Sequence, residues 1–293
     1  MAPLIPILFV GVSLLAADPS ADQRDSAPRT RDIYVSVVDS KGTPVKGLTA
    51  ADFTVREDGA AREVLKAGPA TEPLDIALLI DDSQAADPAV QHLRDGVRAF
   101  VERMAGKAQI ALITFGERPT IVVDYTSNTE LLKRGIGRIF ARSGAGAYLL
   151  EAVQEASRGL QKRKAARPVI VAVSMEATEF SNSSYQTVLK ELQASGAALH
   201  VLAVGTPAPS QSDEMRNRNM VISEGPERSG GRREQLLTVM AIPDELTEVA
   251  EELLNQYVVT YGRPDTLIPA EKIQVTVNRP DVTVRAATRL PAR

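Results

Sequence analysis

The chain is 293 residues long, 44% apolar and 24% charged, with a formal net charge of −3, a profile that suits one large folded domain or two ordinary ones and excludes wholesale disorder. It contains no cysteine, so disulfides, thiolate metal sites, cysteine nucleophiles and lipid attachment through sulfur are excluded. The slightly acidic balance gives no electrostatic case for nucleic acid, and the basic runs Lys133 to Arg142, Arg158 to Arg167 and Arg228 to Arg233 lack interleaved aromatics and read as solvated helix faces and loops.

Leu4 to Ala17 is an uncharged, mostly apolar stretch of signal-peptide length, too short to cross a bilayer comfortably. Residues 1–20 are therefore read as a signal peptide, although no Lys or Arg precedes the apolar stretch, and 21–31 as a polar linker. The mature product is expected outside the cytoplasm, periplasmic or extracellular, with no membrane span once the leader is removed. Ile33 to Val38 and Phe53 to Gly59 alternate as short antiparallel strands, with Asp58-Gly59 as a hairpin turn. Ile273 to Val277 and Val282 to Val284 repeat that pattern near the other end.

The central pattern differs. Apolar strands at Ile76 to Ile80, Ile110 to Phe115, Val169 to Val173 and Leu199 to Val204 alternate with amphipathic segments such as Val90, Leu93, Val97, Phe100, Val101 and Met104. This predicts an α/β domain with a mostly parallel, Rossmann-like sheet flanked by helices. Pro207 to Arg233, rich in Pro, Ser, Gly, Asn and charge, is predicted to be a mobile loop.

The chemistry concentrates where Ala77-Leu-Leu-Ile80 stops at Asp81-Asp82-Ser83, because open parallel sheets place ligands beyond the carboxyl ends of their strands. A cation such as Mg2+ needs several converging oxygens there. In the plain structural account, Asp82 or Ser83 caps the following helix and Asp81 bonds loop amides. His92 and His200, the only histidines, have no partner spaced for zinc and are assigned structural roles. Gly144-Ala-Gly-Ala precedes a helix but lacks the Lys-Ser/Thr of a phosphate loop. No constellation argues for an enzyme.

Val37-Val-Asp-Ser-Lys-Gly-Thr-Pro-Val-Lys-Gly-Leu48, Asp52 to Gly59, Ile80-Asp-Asp-Ser83, Ser229-Gly-Gly231 and Leu254-Asn-Gln-Tyr-Val-Val-Thr-Tyr261 together resemble the von Willebrand factor type A family, in particular its bacterial exported members. The resemblance implies a type A domain over 73–261 and a small β-subdomain from 32–68 and 262–290. It also implies a metal-ion-dependent adhesion site built from Asp-x-Ser-x-Ser, a Thr and a later Asp. Asp81 and Ser83 match that pattern as a residual metal site, but Ala85, Ala147 and Met175 stand at the other three ligand positions. The site is therefore read as degenerate and no cofactor is expected. The expected function is an exported, non-enzymatic protein-binding or scaffolding protein whose unknown protein partner meets Asp81, Asp82, Ser83, Ala147, Met175 and Glu176. The rivals are a metal-dependent adhesion protein in which Glu176 or Asp82 supplies the missing carboxylate, and a hydrolase hidden at the sheet edge.

Overall fold

A computed structural model describes residues 29–207, 212–264, 268 and 270–291. In chain order the first strands are β1 (Arg29–Asp39), β2 (Phe53–Glu57), β3 (Ala60–Arg62), β4 (Val64–Pro69) and β5 (Leu74–Ile80). Helix α1 (Val90–Arg103), β6 (Ala108–Thr114), β7 (Thr120–Thr126), α2 (Thr129–Ile136), α3 (Leu149–Arg163) and β8 (Arg167–Met175) follow. Then come α4 (Tyr185–Ser195), β9 (Ala198–Val204), α5 (Asp213–Ser229), β10 (Arg233–Leu236), α6 (Ile242–Leu254), β11 (Tyr257–Arg263), β12 (Ile273–Val277) and β13 (Val282–Ala286).

The central sheet has the order β10-β9-β8-β5-β6-β7, parallel except for β7 at one edge. Because side chains alternate along a strand, Ile76, Leu78 and Ile80 of β5 pack toward α1 and α6, with Leu93, Val97, Phe100, Leu246, Val249 and Leu253. Ala77 and Leu79 face the opposite layer of α3, α4 and α5, with Val153, Leu160, Val188, Leu192 and Val221. Both faces are dry, which is why the strand sequences read as continuous apolar runs.

The remaining strands form two antiparallel sheets, ordered β13-β1-β11-β4 and β12-β2-β3, around Val35, Phe53, Val55, Tyr257, Val259 and Tyr261. Asp58 and Gly59 both have positive φ, as a two-residue hairpin requires. Glu57, 3% exposed, joins the two sheets by accepting hydrogen bonds from Tyr261 Oη, Arg263 Nε and Arg62 Nε, each at 2.9 Å. The expected end of the type A segment at 261 falls inside β11, whose partners are β1 and β4.

Three other expectations need correction. The segment read as a mobile loop contains α5: Ser212 accepts a hydrogen bond from Met215 N at its start, Gly230 ends it at φ +81°, and Met215, Val221, Ile222 and Gly225 form its buried stripe. Local composition hid a helix that its tertiary contacts stabilise; residues 208–211 lie outside the described ones. The linker expected over 21–31 overlaps β1, which begins at Arg29, while the expected leader over 1–20 lies outside the described residues. Two members of the supposedly solvated basic runs are buried: Arg167 bonds Gln256 and the Leu253 carbonyl, and Arg232 pairs with Glu234, Glu245 and Glu248. Among the described residues no helix is long and apolar enough to cross a membrane.

His200 on β9 is fully buried and neither ring nitrogen has a hydrogen-bond partner. Burial pushes its pKa down to about 4, with Glu252 opposing and Arg232 and Arg285 reinforcing the shift. A histidine pKa depressed by folding favours the native state above the unfolded value near 6.5, and that contribution is lost as pH falls through 4. Relative to His200→Leu, the parent should lose about 3 kcal/mol of stability between those limits. Urea unfolding across that pH range measures the difference; parallel curves for the two proteins would contradict it.

Candidate functional site

The site begins where β5 leaves the sheet. Asp81 N still donates to Val173 O of β8 at 3.0 Å, so the carboxylate stays fixed at the strand end and 0% exposed. Its Oδ1 accepts from Ser83 N at 2.9 Å and its Oδ2 from Met175 N at 2.8 Å. Burial raises the Asp81 pKa, while the bonds to Ser83 and Met175 and the charge of Arg218 oppose the rise. Asp81 thus bonds loop amides, as the plain structural account holds. Ser83 sits at the start of a short 3-10 turn over Gln84–Ala89, but its hydroxyl makes no capping bond and is buried without a partner.

Asp82 points away from Asp81's amide cradle. It accepts from Gly116 N at 2.5 Å and from Arg142 Nε at 2.8 Å, and its carbonyl accepts from Arg142 N at 2.9 Å. Gly116 permits this contact because a Cβ there would stand 2.6–2.7 Å from Asp82 atoms. Asp82 therefore ties three loops together and is not a second carboxylate beside Asp81.

Ala147 and Met175 are 0% and 3% exposed and pack in the cores on opposite sides of the sheet. Ala147 also pairs with the loop after β8: its N donates to Thr178 O at 3.0 Å and its O accepts from Phe180 N at 2.8 Å. Glu176, partly exposed, accepts from Arg218 Nη1 at 3.2 Å. Five of the six expected contact residues, namely Asp81, Asp82, Ser83, Ala147 and Met175, are at most 3% exposed. They shape the edge from below and cannot themselves form its contact surface, which corrects the expected face.

Two residues of the site escape the sequence reading. Arg218 on α5 is 0% exposed, and its Nη2 donates to Ser174 Oγ at 3.2 Å and to Met175 O at 3.0 Å. Glu179 is 2% exposed, its two carboxylate oxygens have no hydrogen-bond partner, and Oε2 lies 3.9 Å from Arg218 Nε. Burial pushes the Glu179 pKa up to about 7 against the pull of Ser181, Arg218 and the Leu150 amide. A signal for Arg218 exists: it falls three residues after Met215 and three or four before Val221 and Ile222, on the apolar stripe of a helix.

A divalent cation needs several oxygen donors free to converge on one point. Both Asp81 oxygens bond amides, Asp82 is turned toward Arg142, Glu176 faces Arg218, and Ala147 and Met175 carry no oxygen on their side chains. Among the described residues no three His, Cys, Asp or Glu side chains gather as metal ligands. This donor set does not fit the cation. Nor does His200 reach the edge: it pairs with Val171, four residues short of Met175, or about 13 Å down the strand.

Among the exposed residues of the edge are four large apolar side chains. Phe140 (60% exposed), Phe180 (50%), Leu237 (75%) and Met240 (70%) all lie in loops beyond the carboxyl ends of the strands. Phe180 stacks on Tyr148 with ring centroids 6.2 Å apart, and the Arg94 guanidinium lies 4.3 Å from the centre of the Phe140 ring. The turn Gln84–Ala89 packs on Val239–Ala241, and Gln84 N donates to Ala145 O at 3.0 Å.

Residues 76–176 match the family model of the von Willebrand factor type A domain. Among solved structures, a protein described as von Willebrand factor type A from Catenulispora acidiphila is 10% identical with a TM-score of 0.52, over 91% of this chain and 75% of that one. Proximal thread matrix protein 1 of the mussel byssus, solved with a zinc occupied MIDAS motif, is 15% identical with a TM-score of 0.52, over 67% of this chain and 50% of that one. At such identities the likeness concerns the fold alone. No curated protein matches the sequence. The sequence match to the von Willebrand factor type A model thus spans residues 76–176, the segment from β5 to the residue just after β8.

Proposed function

We propose that this chain is an exported, non-enzymatic protein-binding or scaffolding protein that holds its partner without a bridging cation. The observation that carries this reading is the exposure of Phe140, Phe180, Leu237 and Met240 in segments beyond the carboxyl ends of the strands, where open α/β folds present their sites. Large exposed apolar side chains favour a protein partner with an apolar contact segment, held by packing. Export is supported by the apolar stretch Leu4 to Ala17. A non-enzymatic role is supported by the position of His200 below the edge, out of reach of Ser83 Oγ.

One observation favours the metal-dependent reading: the buried, unpartnered Ser83 hydroxyl lies two residues from Asp81. Calorimetric titration of the purified protein with Mg2+, Mn2+, Ca2+ and Zn2+ separates the two. No sub-millimolar binding is expected; such binding, abolished by Asp81→Ala, would establish the rival. The apolar rim gives a second test, on a partner identified by co-purification in the presence of chelator. Phe180→Ser and Met240→Ser together should weaken that complex at least tenfold, about 1.4 kcal/mol or more, with an unchanged melting temperature. Undiminished affinity of the double variant would rule out the rim as the contact face.

A further inference from the structure

We infer that Arg218 is a built-in counter-ion of the carboxyl edge, a buried side-chain cation that does within the fold the electrostatic and bridging work for which the donor set cannot recruit a metal. The inference takes up the cation-free reading of the site and adds what replaces the cation.

Three carboxylates crowd this spot from two loops. Asp81 follows β5, and Glu176 and Glu179 follow β8; Asp81 is 0% and Glu179 2% exposed. Arg218 reaches them from a third element, α5, and its charge acts on both Asp81 and Glu179. Glu151 on α3 adds negative charge toward Glu179. The guanidinium touches Glu176 Oε2 at 3.2 Å, Ser174 Oγ at 3.2 Å, Met175 O at 3.0 Å and Asn219 Oδ1 at 3.3 Å. Its Nε has no hydrogen-bond partner and faces Glu179 at 3.9 Å. An arginine with no exposed surface is tolerated only where its charge is met, and carboxylates out of water equally require a cation. A guanidinium also offers a planar fork of donors that can bond carbonyl, hydroxyl and carboxylate oxygens together. The bond to Met175 O matters further, because Met175 N is the amide that holds Asp81 Oδ2. Arg218 thus fixes the residue that fixes Asp81, and through Glu176 it steadies the start of the loop that carries Phe180.

The test is a thermal-unfolding cycle on the mature chain. Arg218→Met keeps much of the apolar volume and removes the charge, and should lower the melting temperature by on the order of 10 °C. Adding Glu179→Gln removes a carboxylate that then lacks a counter-ion, and should restore at least half of the loss. Arg218→Lys, which keeps charge without the fork, should fall between parent and Arg218→Met. If Arg218→Met does not fold, folding of the Arg218→Met, Glu179→Gln double variant carries the same support. A melting temperature for Arg218→Met within 2 °C of the parent, or a double variant no better than the single, would overturn the inference. Partner capture by the rim is read separately in the parent protein, so failure of that proposal leaves this cycle unaffected, and the reverse.

Discussion

Asp81 directly follows a strand buried on both faces, so its carboxylate leaves water when the sheet forms. Ionised, it loses several kcal/mol of hydration that must be returned by charge-assisted hydrogen bonds or by a cation. The fold supplies the amides of Ser83 and Met175, each such bond contributing about 1.5–3 kcal/mol. These two bonds connect β5, the turn after it and the end of β8. Much of the carboxyl edge is arranged around that fact: Asp82 is turned outward to hold Gly116 and Arg142, and Met175 keeps its amide available while its side chain fills the core.

The antiparallel sheets meet the parallel sheet at its other end. Tyr34 of β1 donates to Ala166 O, just before β8 begins, and Arg167 at the start of that strand bonds Gln256. Arg285 of β13 pairs with the buried Glu252 of α6, and Ser229 bridges to Ala287. Each of these contacts lies at or near the amino edge of the parallel strands. The β-subdomain can therefore complete the core without covering the carboxyl edge, where Phe140, Phe180, Leu237 and Met240 remain in solvent. Fastening and presentation occupy opposite ends of the same strands.

Much of this was legible in the sequence, and the limit has a physical cause. Strands β5, β6, β8 and β9 show as unbroken apolar runs because both faces are covered, and Asp58-Gly59 shows as a hairpin because only a few residues accept two positive φ angles. Departures from a ligand pattern, such as Ala147 and Met175, can be seen one residue at a time. Helix α5 was not legible, since Asn217, Asn219, Ser223, Gly225 and Pro226 weaken local helix preference and only packing against β9, α3 and α4 compensates. Arg218 and Glu179 lay out of reach for a related reason: each looks like an ordinary surface charge until the fold brings them together across 39 positions in the chain (218 − 179 = 39). Arg167 and Arg232 were misread in the same way, because burial of a charge depends on partners that are distant in sequence.

A divalent metal ion brings two positive charges to carboxylates and an arginine one, and the two also differ in what they leave open. A cation held at a sheet edge keeps a coordination position that an incoming carboxylate can fill, so recognition is focused on one polar contact. The Arg218 guanidinium is fully enclosed, with its two terminal nitrogens spent on Ser174, Met175, Glu176 and Asn219. The guanidinium itself is then not offered to a partner, and under the proposed reading the free energy of a contact comes from the surrounding rim. Removal of water from apolar side chains depends little on salt or chelator, unlike coordination to an ion. On the proposed cation-free reading, the enclosed charge below and the exposed aromatic and aliphatic groups above belong together, because an edge whose central cation is a buried guanidinium leaves packing as the means of attachment.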